Sequence, residues 1–325
     1  MHPTFIDIGR RAFVVGAYIP NGGTVMAYHI GRILQFDFGY KAVAVQVGTE
    51  TAENGIHRYD THFPLMTIPQ MEIAIGDDDV LICNPSFSSY MFGLRLPGRK
   101  ISYVQHFNSY SILDCRYDRY VAASNFVSRF LSTVYDLPTQ VIPPFINIED
   151  FPVVTPWWSR PAGSTLVYLK GNPAILEPFV DRLRAILSDR APEIRLEDSI
   201  SGISLPQSEL MQRIGSYRHL LTLSIAEGFG LVPLEAMAMG TTVIGFDGFG
   251  GRDYMRPGVN CAVAAYPDIE AVADNLVAVI RAPELGAQLA QEGRKTAESY
   301  TYASFRSAWL EEFRQWLAIQ REASP

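Results

Sequence analysis

Short apolar runs alternate with amphipathic stretches along almost the whole chain, and this alternation limits the fold more than any other sequence feature. The apolar runs of the first half are residues 12–17, 42–47, 80–83, 101–104, 120–123 and 140–142. Between them, residues 24–35 and 125–134 show helical spacing, with Thr24 as the predicted N-cap of the first helix. Strands alternating with helices in this way predict an α/β fold whose parallel sheets are covered on both faces.

The alternation stops at residues 141–150, where Pro143 and Pro144 stiffen the chain, and then restarts. The second half has predicted strands at 165–169, 193–196, 220–223, 242–246 and 261–264, and predicted helices at 178–187, 207–214, 231–239, 269–281 and throughout 283–321. We therefore predict two doubly wound, Rossmann-like lobes, residues 1–145 and 146–301. Ligands of open parallel sheets bind at the carboxyl ends of the strands, so a cleft between those ends is the predicted site.

Charge and hydropathy exclude several classes of protein. The net charge of −7, with few lysines, leaves no broad basic surface for nucleic acid. No apolar run reaches the roughly 18 residues that a membrane-spanning helix needs. The N-terminus lacks the basic and apolar regions of a secretory signal. We expect a soluble, cytoplasmic protein, with peripheral contact to a membrane left open.

The cysteines and a run of aspartates are the candidates for metal chemistry. Cys83, Cys115 and Cys261 lie far apart, each in or beside an apolar stretch, and we interpret them as buried reduced thiols. The run 77–79 could hold Mg²⁺ or Mn²⁺ on a diphosphate. It lies at the start of a predicted strand, away from the ligand end, so a solvated turn is the favoured interpretation. The histidines show no metal-ligand spacing. We predict no metal site.

Residues 224–240 are the most informative stretch of the chain. An apolar strand leads into a Gly-Phe-Gly loop and then into a helix with a proline in its first turn. Gly228 and Gly230 let the backbone approach a ligand closely, and the free amides at the helix start favour an anion. Glu227 on the loop and Glu235 in the helix supply carboxylates that accept hydrogen bonds from sugar hydroxyls. The stretch therefore predicts a site for a phosphorylated sugar compound.

These residues resemble the signature of the retaining GT-B glycosyltransferases of glycosyltransferase family 4, in which seven residues separate two glutamates. The resemblance implies a GT-B fold, with Glu227 on the donor sugar and Glu235 on the nucleotide ribose. It also implies a donor-binding loop, formed by Gly228, Phe229, Gly230 and Leu231. It extends through 242–251 and 257–260. Residues 302–316 look like the closing helix that returns to the first lobe, and we predict this helix over about 302–321.

The first lobe is similar to the same family more loosely, but in the same order. The sequence from Pro20 to Gly23 looks like the family's glycine-rich loop, which implies that Gly22 and Gly23 approach the donor diphosphate. Residues 103–106 look like the strand end whose histidine lies near the transferred sugar, which assigns that role to His106. The alternative interpretation is a structural histidine at a strand end. The resemblance places the acceptor on this lobe and the donor on the second.

The chain departs from the family pattern at the diphosphate. The family supplies an arginine after the first strand of the second lobe and a lysine a few residues later, whereas this chain has Lys170 alone. We expect Lys170 to occupy the arginine's place and Arg252 to supply part of the missing charge. Asn84 stands at a strand end where many relatives carry histidine, which indicates a divergent acceptor side. No residue stands out as a general base.

The predicted function is a retaining, hexosyltransferase-like glycosyltransferase that works without metal. Lys170, His106 and Glu227 are the predicted catalytic residues. The donor would be a UDP-, GDP-, ADP- or dTDP-sugar, which acts as a co-substrate and not as a cofactor. The acceptor would be a sugar, glycan or small molecule. The alternatives left open are a GT-B-shaped sugar-nucleotide epimerase and a sugar-nucleotide-binding protein without turnover.

Overall fold

The computed structural model describes residues 9–16, 22–46, 63–196, 198–201 and 205–318. Contacts divide the chain into two compact units, residues 1–143 with 303–325, and residues 144–302. The first division falls between Pro143 and Pro144, inside the proline-rich segment that the sequence marks as a linker. The predicted lobe ends, 145 and 301, differ from these divisions by two residues and one.

The first unit contains a seven-stranded parallel sheet in the order β3-β2-β1-β4-β5-β6-β7. Its strands are β1 (Arg11–Gly16), β2 (Lys41–Gln46), β3 (Leu65–Thr67), β4 (Val80–Cys83), β5 (Arg99–Val104), β6 (Arg119–Ala122) and β7 (Gln140–Val141). Its helices are α1 (Gly22–Phe38), α2 (Ile68–Ala74), α3 (Phe92–Arg95), α4 (Asn125–Tyr135) and, from the end of the chain, α10 (Tyr302–Ala318). Side chains of β1, β4 and β5 are almost wholly buried, as expected for strands covered on both faces.

The last helix belongs to the first unit because its aromatic side chains pack there. Trp309 is fully buried, and its ring meets Tyr103 of β5 edge to face at 5.4 Å. Arg306 forms an ion pair with Asp37 of α1. A large aromatic side chain buried in this way stabilises the docked helix by several kcal/mol, on the order of the 3–5 kcal/mol lost in aromatic-to-alanine substitutions.

The second unit contains a five-stranded parallel sheet in the order β12-β11-β10-β8-β9. Its strands are β8 (Thr165–Leu169), β9 (Asp198–Ser201), β10 (His219–Thr222), β11 (Thr242–Phe246) and β12 (Ala262–Ala264). Its helices are α5 (Pro173–Arg190), α6 (Gln207–Gly215), α7 (Leu231–Ala238), α8 (Ile269–Arg281) and α9 (Pro283–Ala297). Two parallel sheets in one chain confirm the predicted α/β class. Within the described ranges, no helix has the length and apolar content to cross a membrane.

Three predictions about elements are wrong. Residues 193–196 form no strand: Glu193 belongs to the turn after Ala191, and the edge strand forms at β9 instead. The tail is not helical throughout, because α9 ends at Ala297 and α10 begins at Tyr302. In this break the carbonyl of Tyr300 accepts a hydrogen bond from the Ile146 amide at 3.0 Å. Thr24 is not an N-cap, because α1 already begins at Gly22 and Thr24 is buried within it.

Two predictions about individual side chains are also wrong. Cys83 and Cys261 are buried as predicted, but Cys115 is exposed. In its segment the chain turns Leu113 and Asp114 inward instead. All three thiols are unpaired with one another. Asp77 and Asp78 form the exposed turn predicted for the run 77–79, but Asp79 is buried, because its carboxylate pairs with Arg11 at 2.7 Å and accepts a hydrogen bond from the Gly76 amide. It thus fastens the start of β4 to the start of β1.

Candidate functional site

The predicted site residues of the second unit lie near the point where the strand order of its sheet reverses. The chain passes from β8 to β9 on one side and then to β10 on the other side. Lys170 directly follows β8, and Glu227 follows β10 by five residues. The carboxyl ends of neighbouring strands at such a reversal form the crevice where α/β sheets bind ligands.

Lys170 and Glu227 form an ion pair in this crevice. The Lys170 ammonium donates to Oε2 of Glu227 at 2.8 Å. The Glu227 side chain is only 6% exposed, whereas that of Lys170 is 48% exposed. A buried carboxylate needs such a partner. An ammonium group carries three N–H donors, and Lys170 makes no other hydrogen bond with a residue that the structure describes, so two donors are available to an anion.

The Glu227 backbone is held by a second loop that follows β11. Its amide donates to the Gly248 carbonyl at 2.7 Å, and its carbonyl accepts the Gly250 amide at 3.1 Å. Phe249, between these glycines, pairs with Glu227 in a parallel bridge and has a φ of +68°. A bulky residue at positive φ is a strained conformation that persists where surrounding structure enforces it.

Glycines in this second loop leave no room for a side chain. A Cβ on Gly248 would lie 3.0 Å from Cγ of Glu227, and one on Gly250 would lie 2.4 Å from the Gly228 carbonyl. The two loops are therefore in direct backbone contact. This contact fixes the position from which Glu227 projects.

Glu235 lies in the interior of the second unit. Helix α7 begins after Gly230, whose φ is +87°, and it is buried from Pro233 through Ala238. The carboxylate of Glu235 accepts one hydrogen bond from Nε2 of Gln207, the first residue of α6, at 3.0 Å. Burial raises the pKa of Glu235, and the Gln207 hydrogen bond and the charge of Lys170 act in the opposite direction.

Gln207 is the site residue that the sequence analysis missed. It is one glutamine at the start of a helix, 28 residues before Glu235, and its side chain belongs to no motif. The only signal available was its place in the element before β10, in the half of the chain that carries the glutamates.

The loop between the two glutamates is anchored by aromatic packing. Phe229 is buried, with its ring 5.2 Å from Tyr254 and 5.4 Å from Tyr300. The Tyr254 hydroxyl donates to the Gly230 carbonyl. The structure thus places the Phe229 side chain in the packing that holds the loop, and leaves Leu231 half-buried at the start of α7.

Arg252 lies in the second loop and is engaged there. Its Nε donates to Asp247 at 2.8 Å, and its guanidinium lies 4.7 Å from the centre of the Phe249 ring. Its side chain is 41% exposed. Arg252 therefore belongs to the loop that holds Glu227, and its ion-pair partner there is Asp247.

The predicted residues of the first unit also lie near one another. Gly22 and Gly23 form the first turn of α1, and Nε2 of Gln105 donates to the Gly23 carbonyl at 3.0 Å. His106 follows Gln105, with its ring stacked on Phe107 at 5.7 Å. The hydrogen bond from Gln105 links the strand end to the start of α1. Pro20 and Asn21 lie outside the described residues.

The described residues contain no group of three or more histidine, cysteine, aspartate or glutamate side chains placed to hold a metal ion. The metal independence of any activity stays a prediction.

Residues 188–296 match the family described as Glycosyl transferases group 1. A curated relative, the "Putative glycosyltransferase EpsD" of Bacillus subtilis (strain 168), is 29% identical over 139 residues, which are 37% of this chain and 36% of that protein. The match thus spans about a third of the relative's length.

Several solved structures are similar to this chain over almost its whole length, at low sequence identity. Sucrose-phosphate synthase from Thermosynechococcus elongatus gives a TM-score of 0.72 at 13% identity and covers 95% of this chain and 100% of that one. HepE of Anabaena, solved in complex with UDP and glucose, gives 0.72 at 12% identity, with 94% and 100% covered. The chain therefore has the GT-B fold of these glycosyltransferase structures, and its segment 188–296, which holds Glu227, Glu235 and Arg252, is similar to Glycosyl transferases group 1.

Proposed function

We propose that this chain is a glycosyltransferase that moves a sugar from a nucleotide sugar to a hydroxyl of a sugar, glycan or small-molecule acceptor. The second unit would bind the donor and the first the acceptor. Transfer would proceed with retention at the anomeric carbon and without metal. The proposal rests on one observation above all: Lys170 pairs with Glu227 at the switch point of a sheet, and the charge of Lys170 also acts on Glu235, in or beside the segment that matches the glycosyltransferase family.

The chemistry required of the site is charge stabilisation. In the transfer, the bond between the anomeric carbon and the diphosphate oxygen breaks, and a bond to the acceptor oxygen forms. The diphosphate leaves with the electron pair, and the acceptor hydroxyl loses its proton. Lys170, with two free N–H donors, and the amides at the start of α7 would stabilise the departing phosphate. Removing one such preorganised donor typically costs on the order of 10²–10³-fold in rate.

The two glutamates would hold the neutral parts of the donor. Glu227, fixed by the loop after β11, would accept hydrogen bonds from hydroxyls of the reacting sugar. Glu235, deeper in the unit, would accept them from the ribose. A carboxylate accepts such bonds strongly, at about 1.5–3 kcal/mol each when the group is charged.

Binding of nucleoside diphosphates is the first test. A thermal-shift comparison of UDP, GDP, ADP and dTDP should identify one that raises the melting temperature, because a ligand at 100 times its Kd adds about 2.7 kcal/mol. UDP is the first choice, since HepE was solved with UDP. Stabilisation by none of the four would contradict the proposal.

Acceptor dependence then separates the proposed transferase from its rivals. A transferase releases nucleoside diphosphate from the matching nucleotide sugar only when an acceptor is present. An epimerase would change the donor without an acceptor, and a binding protein would hold the donor with no turnover. Product analysis by NMR of the new anomeric proton tests retention in the same reaction.

A further inference from the structure

The carboxylate of Glu235 is engaged on one side only. Oε1 accepts the Gln207 amide at 3.0 Å. Oε2 makes no hydrogen bond with any residue that the structure describes. Glu235 is 7% exposed as a residue, and Oε2 is not one of the fully buried polar atoms that lack a partner, so this oxygen keeps some exposed surface. A carboxylate oxygen with no protein partner and some exposed surface is a place for ligand donors.

Gln207 reaches this carboxylate from the surface. It is exposed at the start of α6, and Pro206 caps the helix without a side-chain hydrogen bond. Nothing in the packing of α6 requires a glutamine at this position, because the buried residues of that helix are Met211, Ile214 and Gly215. The contact with Glu235 is the one hydrogen bond that the Gln207 side chain makes within the described residues.

We propose that Gln207 is a positioning residue for donor binding: its amide fixes one oxygen of Glu235 so that the other accepts the hydroxyls of the nucleotide ribose. This inference rests on the proposed function, and it adds a residue that no motif indicates. Gln207 acts through Glu235 and need not touch the ligand. Without the amide, the carboxylate would rotate, and its ionised form would lose a hydrogen bond.

The ionisation of Glu235 depends on groups from several elements. Lys170, after β8, favours the charged form. Tyr168 on β8 and Tyr254 after the second loop are buried hydroxyl groups whose own pKa values are raised, by burial first and also by Glu235 and Glu227. The Gln207 amide donates to the carboxylate and favours its charged form. Ribose hydroxyls also donate to that form, so UDP affinity should rise with pH through the pKa of Glu235.

The experiment is calorimetric titration of UDP, or whichever of the four diphosphates binds, over about pH 5 to 9. In Gln207→Met, which keeps length and removes the donor, affinity should fall about 10-fold near neutral pH. The rise of UDP affinity with pH should occur at higher pH in this variant, because the charged Glu235 carboxylate has lost a hydrogen bond. In Gln207→Glu, one shared proton would replace the amide donor, so affinity should fall as pH rises, opposite in sign to the wild type.

Gln212→Met is the matched control, since Gln212 is an exposed glutamine of the same helix. It should bind like the wild type. Glu235→Gln should remove the part of the pH dependence that Glu235 contributes and leave the part that comes from titration of the diphosphate itself. If Glu235→Gln loses affinity while Gln207→Met and Gln207→Glu keep the wild-type affinity and pH profile, Gln207 has no positioning role and the proposed function stands. If the wild type binds none of the four diphosphates, the proposed function is wrong and this inference with it.

Discussion

At the end of β8, the half-exposed ammonium group of Lys170 meets the buried carboxylate of Glu227. In the proposed mechanism Lys170 has two tasks. Its charge stabilises the buried Glu227 carboxylate, and its remaining N–H donors face the phosphate. The single cation at this position is a departure from the family pattern. The ion pair with Glu227 therefore fixes the position of the Lys170 charge.

Glu227→Gln should reduce kcat by about 10²-fold or more while leaving UDP affinity within a few fold of the wild type. Its contact with the reacting sugar would be strongest in the transition state, and such contacts appear in kcat. Steady-state kinetics and calorimetry measure the two quantities. Glu209→Gln, at an exposed position of α6, is the control. A parallel fall in kcat and UDP affinity would mean that Glu227 shapes the pocket, and unchanged kcat would remove it from the mechanism.

His219, the first residue of β10, should make the fold sensitive to acid. Burial lowers its pKa from 6.5 to about 4 in the folded protein. The unfolded chain therefore binds the extra proton at higher pH than the folded chain does. The contribution of His219 to the free energy of unfolding is thus fully present above about pH 6.5 and is lost as pH falls toward 4. The loss is up to about 3 kcal/mol, at 1.36 kcal/mol per pKa unit. His219→Asn should show a shallower loss in denaturant titrations between those pH values. An equally steep loss in that variant would assign the acid sensitivity elsewhere.

Among the elements, the loop after β11 has the clearest structural task. Its strained Phe249 and its glycines lie in direct contact with the Glu227 loop. The strain is local, and the parallel bridge between Glu227 and Phe249 holds it.

Gly248→Ala and Gly258→Ala form a matched pair for this loop. Both glycines have positive φ, +60° and +75°, so both variants should lose about 1 kcal/mol of stability from backbone strain. Only Gly248→Ala places a methyl group 3.0 Å from Glu227, whereas a Cβ on Gly258 meets nothing within 4 Å. Transfer activity should therefore fall at least tenfold more in Gly248→Ala, on the scale of a displaced catalytic contact. Equal activities in the two variants would show that the loop does not position Glu227.

For the whole molecule, the proposed mechanism makes metal unnecessary. Lys170 and backbone amides would carry the charge of the leaving diphosphate, so transfer activity should be unchanged by excess EDTA. Activity with and without the chelator, followed by addition of Mn²⁺, is the measurement. Loss of activity with EDTA and recovery with Mn²⁺ would replace the metal-free mechanism by one in which a divalent ion neutralises the diphosphate.

The sequence determined the α/β class, because alternating apolar runs and amphipathic stretches can bury their surfaces only as covered parallel sheets. Strand β4, strand β11 and helix α8 begin and end where their patterns predict. It also identified Glu227 and Glu235 as candidate residues, since the glycines and the acidic side chains stand close together in the chain. The family resemblance added Lys170, which follows the first strand of the second unit. Edge strand β9 was misplaced because Ile194 and Leu196 are buried in a loop, and periodicity does not distinguish a buried loop from a strand.

The tertiary structure decided how those residues are engaged. The Lys170–Glu227 ion pair joins residues 57 apart, and the Gln207–Glu235 hydrogen bond joins residues 28 apart. The burial of Glu235 depends on α7 being enclosed on all sides, which its own sequence does not show. Hydrogen bonds and ion pairs of this kind are short-range and directional, so they exist only after β8, β10 and the helices after them bring distant side chains within about 3 Å.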